Sequence, residues 1–149
     1  MKKILGLAIL MFILISATRF TAPKPDNMHS IEGTWELVSF YSYDDGVNVS
    51  DTMPKADGYR QVKMYYNGKV MWSRYVPKDN NGRFGYGSYY ITDNELHETI
   101  IYGDAEMMKA LDTLTEFVFE LDLKNDTYSQ ISLDEEGHKT FSENYRRID

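Results

Sequence analysis

The chain has 149 residues and no cysteine, and its 23 acidic residues outnumber its 16 basic residues to give a net charge of −7. An acidic surface of this kind repels phosphate backbones, so we expect no nucleic-acid partner. The lack of cysteine excludes disulfide bonds and a lipid-bearing cysteine, so an apolar core must hold the fold unaided.

The N-terminal segment has the three parts of a secretory leader. Lys2 and Lys3 precede twelve uncharged residues, and Ser16-Ala17-Thr18 follow them. This order is typical of a cleaved signal peptide, which we predict over residues 1–22, with a tether over residues 23–30. The apolar run is shorter than the roughly 20 residues of a spanning helix, so we expect no stable membrane insertion after cleavage. The sequence predicts an exported bacterial protein, periplasmic or secreted, whose folded domain covers residues 31–149.

From residue 31 onward, short apolar runs alternate with turn signals, a pattern that predicts an all-β domain. Asn67-Gly68 is the strongest hairpin signal. The eight predicted strands cover residues 32–43, 59–66, 69–76, 83–92, 95–102, 113–123, 127–133 and 140–148. A single helix is predicted over residues 105–111, between strands five and six, with Asp104 as its N-cap. Residues 44–58 are predicted to be a long loop.

Loop lengths predict a barrel with one closed end. If the eight strands run up and down in order, the long connections fall at one end and the tight turns at the other. The first strand begins, and the last strand finishes, at the tight end. Gly33 and Trp35 would then lie beside Arg146 or Arg147 as a structural floor, with a cation–π contact between indole and guanidinium. We therefore predict an eight-stranded antiparallel up-and-down β-barrel.

These residues also carry a family resemblance. The triplet Gly33-Thr34-Trp35 at the head of the barrel, with arginine at the end of the last strand, is similar to the lipocalin or calycin arrangement. Residues 70–75 and 85–91, followed by Glu98 and Tyr102, resemble the lipocalin-like domains of exported bacterial proteins. The resemblance covers the chain from Ile31 to its end and implies the fold more than any particular ligand.

Strand alternation predicts which side chains face the interior. In the third strand we favour Val70, Trp72, Arg74 and Val76 over the opposite set, and Leu96, Glu98, Ile100 and Tyr102 share a face in the fifth. Buried charges need partners, so Arg74 and Glu98 either form a structural ion pair or anchor a ligand head group. The predicted ligand-binding residues are Tyr41, Trp72, Arg74, Tyr86, Tyr90, Glu98, Tyr102, Phe117 and Phe119.

The sequence offers little for catalysis or for metal binding. His97 and Glu98 are adjacent in a strand, point to opposite faces and cannot share a metal; His97 is expected to face solvent. His138 is the only histidine suited to ligate haem near an open mouth. No serine has a recognisable partner arrangement. We therefore expect no catalytic residues, no metal and no cofactor.

Three functions remain open. The first is a non-enzymatic protein that holds a small apolar or amphipathic molecule in the barrel, with Met107 and Met108 on a helix over the mouth. The second is an enzyme or haem-binding protein on the same barrel. The third is a protein-binding or inhibitor module with a filled interior and no ligand cavity. The sequence leaves the oligomeric state open.

Overall fold

The computed structural model describes residues 31–78 and 82–149, so the predicted leader and tether lie outside the described residues. Within those two ranges the fold has nine strands and one short helix. The strands are β1 (Gly33–Ser42), β2 (Asp51–Pro54), β3 (Arg60–Tyr66), β4 (Lys69–Tyr75), β5 (Arg83–Ile91), β6 (Glu95–Gly103), β7 (Glu116–Leu123), β8 (Thr127–Leu133) and β9 (Lys139–Arg147). The helix α1 (Ala105–Leu111) lies between β6 and β7. No helix in the described part is long and apolar enough to cross a membrane.

Eight of these strands close into an antiparallel ring. Each of β3 to β8 pairs with the next strand in order, and β1 pairs with both β3 and β9. The terminal strands meet along most of their length, from Trp35 opposite Arg147 to Ser42 opposite Phe141. The predicted eight-stranded up-and-down barrel is confirmed, and so is the helix between the fifth and sixth strands of the ring.

The short strand β2 was not predicted from the sequence, which indicated a long loop over residues 44–58. Asp51 to Pro54 pair with Ser42 to Ser39, the half of β1 nearer the barrel mouth. The other half of β1, Gly33 to Glu36, pairs with β3. The two strands thus divide one edge of β1 between them, and no long stretch of that edge is left unpaired.

A register shift in β6 changes which side chains face inward. Tyr86 is paired with Tyr102, but the next residue, Gly87, is paired with Ile100, so Ile101 is an extra residue in the ladder. Beyond such a bulge, the alternation of inward and outward side chains is shifted by one residue. Leu96, Glu98 and Ile100 are buried, whereas Ile101 and Tyr102 are both exposed. Tyr102 therefore lies outside the barrel, contrary to the prediction.

The half of the barrel nearer the tight turns is filled by large apolar side chains. Trp35, Tyr65, Tyr128 and Tyr145 are each at most 1% exposed, and Leu37, Val70 and Leu96 are completely buried between them. The rings of Tyr128 and Tyr145 are stacked with centroids 4.7 Å apart, and Trp35 meets Tyr128 edge to face at 5.0 Å. The alternation of β4 is the one we favoured, with Val70 and Trp72 inside.

Candidate functional site

A cavity of about 210 Å³ occupies the other half of the barrel, at the end where the long connections lie. Its lining comes from six strands, β3, β4 and β6 to β9, and from helix α1. The lining side chains form an apolar set and a polar set. The apolar side chains are Trp72, Ile100, Met107, Phe117, Phe119 and Phe141, and the polar side chains are Gln61, Lys63, Arg74, Glu98, Gln130, Ser132 and Glu143. The cavity is smaller than the 300–1,000 Å³ usual for drug-sized ligands, which limits an occupant to about one ring or a short chain.

The apolar wall is set by two local features. Gly85 lies opposite Trp72 in the β4–β5 ladder, and a Cβ there would lie 2.5 Å from the indole Nε1, so only glycine leaves room for the ring. Helix α1 brings Met107 to the mouth. Asp104 caps that helix by accepting hydrogen bonds from the backbone N–H groups of Glu106 and Met107.

Lys63 and Glu98 form the deepest polar group of the cavity. They are 4% and 3% exposed. The Lys63 ammonium donates to both carboxylate oxygens of Glu98 at 2.9 Å and to Gln130 Oε1 at 2.8 Å, which uses all three of its protons. The Tyr65 hydroxyl donates to Glu98 Oε1 at 2.5 Å. Such pairing offsets the cost of removing two charges from water.

Glu143 organises a second polar group nearer the mouth. Its Oε2 accepts hydrogen bonds from Gln61 Nε2 at 3.0 Å, from Gln130 Nε2 at 3.0 Å and from the Tyr145 hydroxyl at 2.6 Å. Gln130 therefore connects the two polar groups, because its Oε1 accepts from Lys63. The orientations of Glu143 and Lys63 are fixed by neighbouring side chains rather than by solvent.

Arg74 lies at the mouth between the polar and apolar walls. Its Nε donates to Gln61 Oε1 at 2.6 Å, and its Nη2 lies 3.6 Å from Glu143 Oε1. The guanidinium is 5.7 Å from the centroid of the Trp72 ring. The Arg74 side chain is 35% exposed, so this cation can be reached from solvent.

Burial and nearby carboxylates keep the interior tyrosines protonated. Burial, with Glu98 and Tyr128 nearby, raises the pKa of Tyr65 well above 10.0. Burial also raises the pKa values of Tyr128 and Tyr145 well above that value, with contributions from Glu98 and Glu143 respectively. At neutral pH these phenols therefore serve as hydrogen-bond donors and as packing groups.

The opposite end of the barrel is closed by the floor residues. The Arg147 guanidinium lies 4.2 Å from the centroid of the Trp35 ring and donates to Glu32 O at 2.7 Å. Gly33 has φ of +140°, and a Cβ at that position would collide with the guanidinium. Arg146, the other arginine considered for the floor, is exposed on the outer face and takes no part in this contact.

The structure brings together five of the nine residues predicted to bind a ligand: Trp72, Arg74, Glu98, Phe117 and Phe119 all line the cavity. Tyr41, Tyr86, Tyr90 and Tyr102 do not, and their assignment is corrected. Tyr41 follows the β1 bulge and faces away from the core side occupied by Phe40. Tyr86 is on the outer face and packs against Tyr102 at 5.2 Å. Tyr90 is 48% exposed on that face.

Of the two alternatives left open for Arg74 and Glu98, the ion pair between them is wrong, because each has a different partner. Glu98 pairs with Lys63, and Arg74 lies beside Glu143. Gln61, Lys63, Gln130 and Glu143 were not singled out from the sequence. The available signal was the alternation of β3, which places Gln61 and Lys63 on the same face as Tyr65, but polar side chains in alternation usually mark the solvent face.

The histidines lie outside the cavity. His97 is on the outer face, as predicted, but its side chain is only 14% exposed, because it stacks on Tyr90 at 4.3 Å and contacts Glu95 and Glu116. His138 is exposed in the β8–β9 turn and does not line the cavity, so it is badly placed for haem there.

One group within the described residues has ligand atoms close enough for a metal: Asp134, Glu136 and His138, all exposed. Asp134 Oδ1 already accepts from the backbone N–H groups of Glu136 and His138, at 3.1 and 2.8 Å. These hydrogen bonds stabilise the turn, which explains why the three side chains lie close together.

Comparison with known proteins supports the fold. No protein-family model matches this sequence, and no curated protein matches it significantly. A lipocalin-like protein from Bacteroides uniformis is similar in structure, with a TM-score of 0.54 and 16% identity over 80% of this chain and 99% of that one. An uncharacterized protein from Bacteroides eggerthii is similar at a TM-score of 0.51 and 14% identity, over 79% and 99% of the two chains. At these identities the likeness shows a lipocalin-like fold.

Proposed function

We propose that this barrel is an exported, non-enzymatic protein that binds a small hydrophobic or amphipathic molecule in its mouth cavity. The observation that carries the proposal is the division of the cavity lining into six apolar side chains and a hydrogen-bonded polar set. Small-molecule sites are usually apolar with a few fixed polar groups, which is the composition found here. The lipocalin-like fold supports the same conclusion, since barrels of eight strands can enclose one small ligand.

The pairing of the buried charges favours binding over catalysis. Lys63 has three protein acceptors, and Glu98 accepts from Lys63 and Tyr65. A general acid or base must exchange a proton with a substrate, and groups occupied in this way are poorly suited to do so. The cavity itself argues against the filled barrel expected of a module that binds only through its loops.

Export is supported by the order of basic, apolar and small residues in the first 18 positions of the sequence. We expect the mature protein from the native host to begin after the predicted leader, near residue 22. N-terminal sequencing of that protein tests the cleavage, and an intact Met1 in the exported fraction would contradict it.

Native mass spectrometry of protein purified from its own host is the direct test of ligand binding. We expect a bound species whose added mass is that of a small molecule and which disappears on denaturation. The variant for comparison is Ile100→Phe, which adds side-chain volume at the cavity wall and should reduce the fraction of protein with bound ligand. Overpacking of this kind costs about 1–3 kcal/mol, so the variant should still fold. An equal bound fraction in the two proteins would place the molecule elsewhere.

Tryptophan fluorescence provides a second readout because the two tryptophans lie at opposite ends of the barrel. Trp72 lines the cavity, whereas Trp35 is buried at the floor. A ligand at the mouth should change the emission of the wild-type protein and leave that of Trp72→Phe nearly unchanged. A full response in Trp72→Phe would contradict binding at the mouth.

A further inference from the structure

The charges that line the cavity cancel in two pairs. Lys63 is paired with Glu98 at 2.9 Å, and Arg74 lies beside Glu143 at 3.6 Å. These two cations and two anions are the charged side chains among the lining residues. A charged ligand would therefore add a net charge to a partly buried space that is already balanced, and burying an unbalanced charge is costly.

The side chains that line the cavity have both hydrogen-bond donors and an acceptor that are not used within the described part of the chain. Within residues 31–78 and 82–149, Arg74 makes its hydrogen bond through Nε, so the protons on its two terminal nitrogens remain available as donors. Glu143 uses Oε2 for three hydrogen bonds, and its Oε1 faces Arg74 beyond hydrogen-bonding distance, so Oε1 remains available as an acceptor. An occupant of the mouth thus meets donors and an acceptor only a few ångströms apart.

We propose that the ligand has an uncharged head group that carries both an acceptor and a donor, such as a carboxamide or lactam, joined to a compact apolar body. This inference rests on the proposed function and names its ligand class. The carbonyl oxygen would accept from the Arg74 guanidinium, and the N–H would donate to Glu143 Oε1. A carboxylate would be attracted by Arg74 but repelled by Glu143. An ammonium would be attracted by Glu143 but repelled by Arg74. Repulsion between like charges at such distances is strongly unfavourable. The apolar body would lie between Trp72, Phe117 and Phe119.

Three probes of similar size and different charge test the head group. Phenylacetamide, phenylacetate and phenethylamine share a benzyl body and differ in carrying an amide, a carboxylate or an ammonium. We expect phenylacetamide to bind at least about tenfold more tightly than either charged probe, equivalent to about 1.4 kcal/mol. The measurement is a titration of the folded protein followed by NMR shifts of the cavity residues. Tighter binding of phenylacetate or phenethylamine would overturn the inference while leaving small-molecule binding intact.

A charge swap at Glu143 sharpens the test. Glu143→Gln leaves the Arg74 charge without its partner, so phenylacetate should become the preferred probe, with at least about a tenfold change in the ratio of the two affinities. Glu135→Gln is the matched control, since it changes the net charge equally at an exposed position in the β8–β9 turn. That control should leave the preference for phenylacetamide unchanged. If both variants shift the preference alike, the effect is that of net charge and the inference is wrong.

The reciprocal variant covers the case in which Glu143→Gln does not fold. Arg74→Met leaves Glu143 uncompensated and should make phenethylamine the preferred probe, while circular dichroism reports the fold. An unchanged preference in a folded Arg74→Met variant contradicts the inference. If none of the three probes binds the wild-type protein, the head-group inference falls, and the mass spectrometry of host-purified protein decides the proposed function separately.

Discussion

The two halves of the barrel interior contain side chains of opposite character. The half near the tight turns is filled by aromatic rings such as Trp35 and Tyr128, whereas the half near the mouth has two ion pairs around a cavity of about 210 Å³. Apolar burial stabilises a fold directly, but a buried ion pair is often no better for stability than apolar residues of equal volume. The contrast teaches that apolar burial in the floor half can stabilise the fold. Stability alone does not require the charged and polar side chains of the mouth half.

The largest expected effect comes from alkaline pH, which should act on the floor half. Burial raises the pKa values of Tyr65, Tyr128 and Tyr145 well above 10.0. Unfolded tyrosines lose their protons near pH 10 while the folded ones keep theirs, so this stability is complete below pH 10 and is lost as the pH rises. The free energy of unfolding should fall by about 1.4 kcal/mol per pH unit for each tyrosine, or by roughly 4 kcal/mol per pH unit for all three.

Urea unfolding at a series of pH values above 10 measures this slope. Tyr128→Phe removes one of these deeply buried titrating groups and should reduce the slope by about 1.4 kcal/mol per pH unit. An identical slope in the variant would show that alkaline unfolding has another origin.

The second effect concerns the mouth half and the ion pair at its base. Lys63→Met removes the cation that pairs with Glu98 and leaves a carboxylate that is 3% exposed. We expect a loss of about 3–5 kcal/mol in the free energy of unfolding, the usual result of breaking a buried pair. The double variant Lys63→Met/Glu98→Gln should recover most of this loss. If the double variant is no more stable than the single one, the charge of Glu98 is not the cause.

A smaller effect is expected where the floor is sealed. Arg147→Gln removes the guanidinium 4.2 Å from the Trp35 ring and its hydrogen bond to Glu32 O. We expect a loss of about 2 kcal/mol, from a cation–π contact and one charge-assisted hydrogen bond. Arg146→Gln, at the adjacent exposed position, should cost much less, as thermal or urea unfolding would show. Equal losses would mean that the stacked position of Arg147 contributes nothing.

The smallest effect is at the helix over the mouth. Asp104→Ala removes the N-cap of α1 and should cost about 1 kcal/mol. Burial raises the pKa of Asp104, but hydrogen bonds from Phe84, Met107 and Arg83 outweigh it and lower the pKa below 3.8. The contribution of Asp104 is therefore present above pH 4 and lost as the pH falls below that value. Stability measured between pH 5 and pH 2 should fall less for Asp104→Ala than for wild type, and parallel curves would contradict this.

Regular features of the fold could be predicted because they depend on local patterns. Asn67-Gly68 fixed one hairpin, Asp104 fixed the start of the helix, and clean alternation placed Phe117 and Phe119 on one face. Short connections then determined the order of the strands, and closure brought Trp35 to the C-terminal strand.

The rest depended on contacts between distant segments. The bulge at Ile101 turns Tyr102 outward, and the residue types at these positions do not predict a bulge. The partner of Glu98 is Lys63, thirty-five positions away, and the choice between Lys63 and Arg74 is made by strand register rather than by sequence. Polar residues were the least predictable part of the site, because alternation cannot distinguish a solvent-facing strand surface from a polar interior.

The pairing of β1 with β9 also leaves both ends of the folded domain side by side beneath the floor. Thr34 N donates to Asp149 Oδ2 at 2.9 Å, and Ile148 N donates to Thr34 O at the same distance. A short peptide could join these ends, and new termini could be opened in the exposed β8–β9 turn, giving a circularly permuted protein with the same barrel. Attachment to a sensor surface through a residue beside Thr34 or Asp149 would likewise point the mouth toward the sample.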